Sequence, residues 1–300
     1  MIQKNTPLRR SALIYTATSA GCSLLAIVLR LLSLILCYDA SIGYFPKGAA
    51  LPILSDLFGT ASIVAFAVLS FLWFRKKEMS YAKSPSLAIK ITAALAAVLS
   101  LLLGIYDLKA SASVLDLLLC FGACLYFLLV LTGKTTPALS LVFGFCAILR
   151  LLGALADSYM DFLVPMNSPE KIWLYVGAVA GMFFLVCEIR ALVTKPYTAT
   201  WFFSAAAAMM IAASASIALI VGNLASRFYA TPTHSALLTA LLLLAIAIYA
   251  GARLVTVALN PEPPVEEEAV EEIQESEENE ENEKIEEITE PEKTAEPDNE

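Results

Sequence analysis

Residues 137–156 read PALSLVFGFCAILRLLGALA. Twenty consecutive residues carry a single charge, Arg150, and they follow Thr136 with proline in the first position. Proline suits the start of a helix because the N–H it lacks has no intrahelical acceptor there, and threonine suits the cap before it. At a rise of about 1.5 Å per residue, twenty residues cover about 30 Å, the thickness of a bilayer's hydrocarbon core. The stretch reads as a membrane-spanning helix.

Seven further stretches fit the same description: 11–37, 51–74, 87–106, 113–132, 171–193, 199–222 and 236–259. Ser84-Pro85 and Ser168-Pro169-Glu170 repeat the cap-then-proline pattern, and Tyr44-Phe45-Pro46-Lys47-Gly48 and Thr231-Pro232-Thr233 break the chain elsewhere. The expected fold is an all-α membrane protein of about eight transmembrane helices. Composition agrees. The chain is 58% hydrophobic and 16% charged, with mean hydropathy +0.72, whereas soluble domains have roughly 45–50% apolar and about 25% charged residues. Arg9-Arg10 before an apolar run also resembles a cleaved leader, with Ser19-Ala20-Gly21-Cys22 near a lipoprotein-type cleavage site. That run continues through Cys37, well past the roughly 7–15 apolar residues of a signal, so an uncleaved first span is expected.

Charge divides the chain in two. Residues 1–260 carry a net +9 and residues 261–300 a net −17, together the −8 of the whole. With the N-terminus in the cytoplasm, twelve basic residues fall on the cytoplasmic side, among them Arg9, Arg10, Arg75, Lys76 and Lys77. Only Lys47, Lys109, Lys171 and Arg227 fall on the other. That bias predicts a multi-pass plasma-membrane protein with both termini cytoplasmic. The segment 261–300 combines Glu runs with Pro261, Pro263, Pro264, Pro291 and Pro297. It cannot bury enough apolar surface to offset ordering entropy, and reads as a disordered acidic tail. A basic cytoplasmic partner is one expectation for it, and simple solubilisation of the terminus is the other.

The tetrapeptide Leu149-Arg150-Leu151-Leu152 also occurs as Leu29-Arg30-Leu31-Leu32. Each arginine is followed by aspartates and a proline: Asp39 and Pro46 in one case, Asp157, Asp161 and Pro165 in the other. The match predicts two parallel four-helix repeats, 11–135 and 136–260, between a cytoplasmic segment 1–10 and the tail.

A charge at mid-bilayer costs about 2.5–3.5 kcal/mol on insertion scales and usually has a partner or faces water. Arg30 and Arg150 are therefore the candidate site residues, with Asp39, Asp56, Asp116 and Asp157 near the same helix ends. Two functions compete for them. The arginines either pair with aspartates across the halves and hold the bundle, or converge in an outward vestibule and bind a carboxylate or phosphate through bidentate bonds. Glu188 and Arg190 read as interfacial, and His234 as a loop residue. No helix interior shows an obvious break.

No metal site is expected. Cys120 and Cys124 are one turn apart without a nearby His, so packing is the expected role, and no disulfide framework is visible. There is no phosphate-binding loop, dinucleotide fingerprint or metalloprotease motif, so neither a cofactor nor a nucleic-acid partner is expected and no catalytic residue is assigned. The leading functional expectation is a transporter of a small, anionic solute, a membrane protein in contact with lipid. A non-catalytic scaffold using the tail and, further off, a lipid-modifying enzyme are the alternatives.

Overall fold

Aspartate at the start of a helix and glycine beyond its end show how this sequence sets its helix boundaries. Ser113 caps one helix, its hydroxyl accepting from the Asp116 N–H at 3.2 Å and donating to the Asp116 carboxylate at 2.6 Å. That helix stops at Gly133, whose φ of 69° is left-handed backbone that glycine adopts without a Cβ clash. Ser86 and Ser168 cap in the same way, accepting from Ile89 and Lys171 N–H groups. The cap of the third helix is thus two residues later than the Ser84-Pro85 expected from the sequence. Thr136 has the extended backbone of a cap but makes no side-chain cap bond; Pro137 opens the helix.

In a computed structural model, residues 7–76, 86–109, 113–133, 136–162, 164–165, 167–193, 197–228 and 234–259 are described. They form α1 (Pro7–Cys37), α2 (Ala50–Phe74), α3 (Leu87–Lys109), α4 (Val114–Thr132), α5 (Pro137–Met160), α6 (Pro169–Val193), α7 (Thr198–Leu224) and α8 (His234–Leu259). All eight are long and apolar enough to cross a membrane. Among the described residues the one β feature is an isolated bridge between Asp39 and Tyr44 in the α1–α2 turn. The acidic tail, the Thr231–Thr233 break and the side chain of His234 lie outside the described residues.

One element departs from expectation. α7 is not continuous α-helix: Ala208–Ala212 form a π turn in its middle. Neither proline nor glycine marks it. The run is Ala205-Ala206-Ala207-Ala208-Met209-Met210, and side chains this small let neighbouring helices approach the backbone. α7 is also the centre of the bundle. Of its most apolar window 72% is buried, against 17% for α2.

α1 and α2 are peripheral, and α2 meets α7 along only part of its length. Near the α2 C-terminus, Tyr15 of α1 packs edge-on against Phe66, Phe74 and Phe202 at ring distances of 5.5, 5.5 and 5.7 Å, and Phe74 stacks on Phe202 at 4.2 Å. Aromatic pairs of this kind contribute about 0.5–1.5 kcal/mol beyond area burial. The Tyr15 hydroxyl donates to the Phe66 carbonyl at 3.3 Å, and the Ser70 hydroxyl to the Ala199 carbonyl. Toward its N-terminus α2 has no extended contact with α7, while α1 stays packed there, Leu34 and Tyr38 lying in one cluster with Ala215, Leu219 and Phe228.

Outward faces are strongly apolar. Leu24, Leu36, Leu57, Leu72, Leu115 and Leu118 are each more than 60% exposed. Exposed leucine continuous over whole helices is what a lipid-facing surface requires and what a water-facing one avoids. Together with the eight spans, it points to a multi-pass membrane protein.

Candidate functional site

Where α2 parts from the bundle, a cavity of about 440 Å³ opens. α1 contributes Arg30, α2 contributes Ser55, Asp56, Gly59 and Thr60, and α6 contributes Trp173. The π turn of α7 supplies Met210 and Ile211, followed by Ser214 one turn on. Tyr44, Phe45 and Asn167, from the α1–α2 and α5–α6 connections, line its end. A π turn widens a helix locally, and such turns recur at functional sites. Gly59 adds space on the opposite wall: a Cβ there would meet nothing within 4 Å.

The electrostatics of the cavity centre on one incomplete pair. Arg30 Nη2 stands 3.8 Å from Asp56 Oδ1, with the Arg30 side chain 13% exposed and that of Asp56 73% exposed. That distance allows Coulombic attraction but exceeds a hydrogen bond. Arg30 Nη1 is buried without a hydrogen-bond partner among the described residues. The guanidinium carbon lies 5.4 Å from the centroid of the Trp173 ring, within cation–π range. Trp173 is fixed in turn by Phe45, at 6.1 Å, and Phe45 by Tyr38, at 5.7 Å.

Arg150 has different surroundings. It is 3% exposed and does not line the cavity. Its Nη2 donates to Asp107 Oδ2 at 3.0 Å and its Nε to Cys120 Sγ at 3.1 Å. Asp116 is nearby, within electrostatic range of the guanidinium, and a Cβ on Gly153 would stand 3.5 Å from Asp116 Oδ1 and 3.9 Å from Arg150 Nη1. Asp157 is within electrostatic range of Arg150, Asp116 and Asp107. Three helices, α3, α4 and α5, are joined here by Arg150 and its bonds to Asp107 and Cys120.

The six expected site residues therefore fall into three groups. Arg30 and Asp56 share the cavity. Arg150, Asp116 and Asp157 share the cluster around Asp107, in which Asp157 is exposed and Asp116 half-buried. Asp39 belongs to neither. It folds the α1–α2 turn, accepting from the Ser41 hydroxyl at 2.6 Å and the Ser41 N–H at 2.9 Å, and those bonds hold its carboxyl below the usual range. The two arginines do not line one vestibule.

A third polar group was not anticipated. Glu188 is fully buried, not interfacial. Its carboxylate accepts from Arg253 Nε at 2.5 Å, the Tyr249 hydroxyl at 2.7 Å and Trp201 Nε1 at 3.0 Å. Glu188 stands five residues before the end of α6 and Arg253 six before the end of α8, a depth at which single charges read as surface residues. Arg190 does lie at the surface, 3.7 Å over the Tyr197 ring. The Glu188 cluster closes the end of the bundle opposite the cavity, tying α6, α7 and α8 together.

No group of His, Cys, Asp and Glu among the described residues has the geometry to hold a metal ion. No protein-family model, curated protein or solved structure matches the chain.

Proposed function

We propose that this chain is a multi-pass membrane protein with both ends in the cytoplasm, and that it binds a small charged solute in the Arg30–Asp56 cavity and moves it across the bilayer. One observation carries the reading: a partly buried guanidinium with an unpartnered Nη1 lines a cavity of ligand size. Small-molecule sites are concave, mostly apolar and fitted with a few convergent polar groups, over about 300–1,000 Å³. Buried arginine without a full set of acceptors is an anion site waiting for one.

The ends of the bundle support the transport step. The cavity reaches one end, at the α1–α2 and α5–α6 connections, while the Glu188 cluster seals the other. A transporter needs a site accessible from one side at a time, set at irregular helix backbone. The π turn of α7 supplies that irregularity and forms the cavity wall. The positive-inside bias orients the open end outward.

The test is a melting-temperature screen of the purified full chain in detergent. Inorganic phosphate, glutamate and glycine betaine sample anionic and zwitterionic solutes. At least one should raise the melting temperature of the wild type and fail to raise that of Arg30→Gln. Equal response of both proteins to every solute would remove the cavity from consideration.

A further inference from the structure

The mouth of the cavity is marked by lining residues that are themselves exposed. Besides Asp56 these include Ile172 and Val176 of α6, at 43% and 44%. Val176 lies seven residues into α6 past Pro169, about 10 Å along the axis. The opening is thus a slot down the side of the bundle as well as a hole at its end. Its two edges are α2 and α6. Each packs on α7, and no extended contact joins them to one another. Below Val176 the apolar edge continues through Val179 and Phe183, 54% and 38% exposed, on the same helix face.

Inside the slot the chemistry is of both signs. Arg30 would repel a cation and Asp56 would repel an anion, and at 3.8 Å neither is saturated by the other. A head group bearing an anionic and a cationic centre satisfies both. Phe45 and Trp173 line the cavity beside the pair. Water-soluble zwitterions fit these charges, but they do not account for an apolar slot along the side of the cavity.

We propose that the cavity holds the head of one zwitterionic phospholipid, with phosphate on Arg30 and ammonium at Asp56, and with the acyl chains leaving between α2 and α6 over Ile172 and Val176. The inference rests on the reading of the chain as a membrane protein with a binding cavity, and names the class of molecule that occupies it.

The full chain is reconstituted in vesicles doped with phospholipid brominated in the acyl chains. Tryptophan quenching is compared between wild type and Trp173→Phe, and the difference isolates Trp173. Brominated phosphatidylethanolamine should quench this share with an apparent affinity about tenfold above that of brominated phosphatidylglycerol, the size of one charge-assisted contact. Substitution of the mostly exposed Asp56, Asp56→Asn, should remove the preference, and Arg30→Gln should weaken the response to both lipids, which share the phosphate. Equal quenching by both lipids would reduce the slot to ordinary lipid contact and overturn the proposal. Full relief of quenching by soluble glycerophosphoethanolamine at millimolar concentration would also overturn it, in favour of a chain-free solute, and would leave the broader binding reading standing. No Trp173-dependent response to either lipids or soluble head would remove both.

Discussion

Arg150 and Asp107 meet at 3.0 Å across 43 residues of chain, each side chain less than 10% exposed, with the Cys120 thiol against the same guanidinium. A buried pair of this kind is weak evidence for net stability, because two charges lose water to form it. Breaking it from one side is a different matter, since an uncompensated charge then remains inside. Asp107→Ala should cost about 3–5 kcal/mol. Replacing both partners at once, Asp107→Leu with Arg150→Met, should recover most of that loss. Unfolding of wild type, Asp107→Leu, Arg150→Met and the double variant in mixed detergent micelles gives the cycle, and equal stability of wild type and Asp107→Ala would show that the pair is not closed.

Glu188 offers a second cycle. Its carboxylate takes three donors in a dry interior, and hydrogen bonds to charged groups contribute about 1.5–3 kcal/mol each. Tyr249→Phe removes one bond while keeping the ring between Phe127 and Phe184, so a loss within that range is expected. In a Glu188→Gln background the same substitution should cost less. Thermal melts of the four proteins measure the coupling, and additive losses would count against a shared network.

The spans and most of their ends were legible because the bilayer sets a length that twenty apolar residues satisfy, and because Pro137 and Pro169 mark boundaries by backbone chemistry. Arg30 and Arg150 stood out as charges inside apolar helices. Their partners did not. Asp107 is two residues from the end of α3, and Glu188 and Arg253 are within two turns of theirs, so each looked like a residue able to reach water. Whether such a charge turns inward depends on which helices pack beside it, and hydropathy carries no information about that. The matching tetrapeptides around Arg30 and Arg150 illustrate the same limit: identical neighbours in sequence face a cavity in one helix and a buried pair with Asp107 in the other. The π turn of α7 was hidden for a different reason, since an alanine run carries no breaker to announce it.

Gly177 marks the tightest crossing of α6 with α7 and α8. A Cβ there would lie 2.9 Å from both Ala215 Cβ and Leu243 Cδ2. Leu243 presents the end of a rotatable side chain, but the alanine methyl is fixed to its backbone. Gly177→Ala should therefore separate α6 from α7 and destabilise by about 1–3 kcal/mol, as overpacked cores do. The melting temperature of purified protein measures it, and a stabilised variant would mean that the crossing is looser than these distances state.

Gly59 tests the cavity without touching its charges. It lines the open space between α2 and α6, and an added Cβ would meet nothing. Leucine there would extend four carbons into the cavity while Arg30 and Asp56 stay intact. Helix propensity favours leucine over glycine by somewhat under 1 kcal/mol, so the fold should hold or gain slightly. Gly21 of α1 is the matched control: it too has no neighbour within 4 Å of an added Cβ, and it does not line the cavity. Gly59→Leu should lose the melting-temperature response to whichever solute shifts the wild type, and Gly21→Leu should keep it. A full response in Gly59→Leu, with both variants folded, would place binding elsewhere in the bundle.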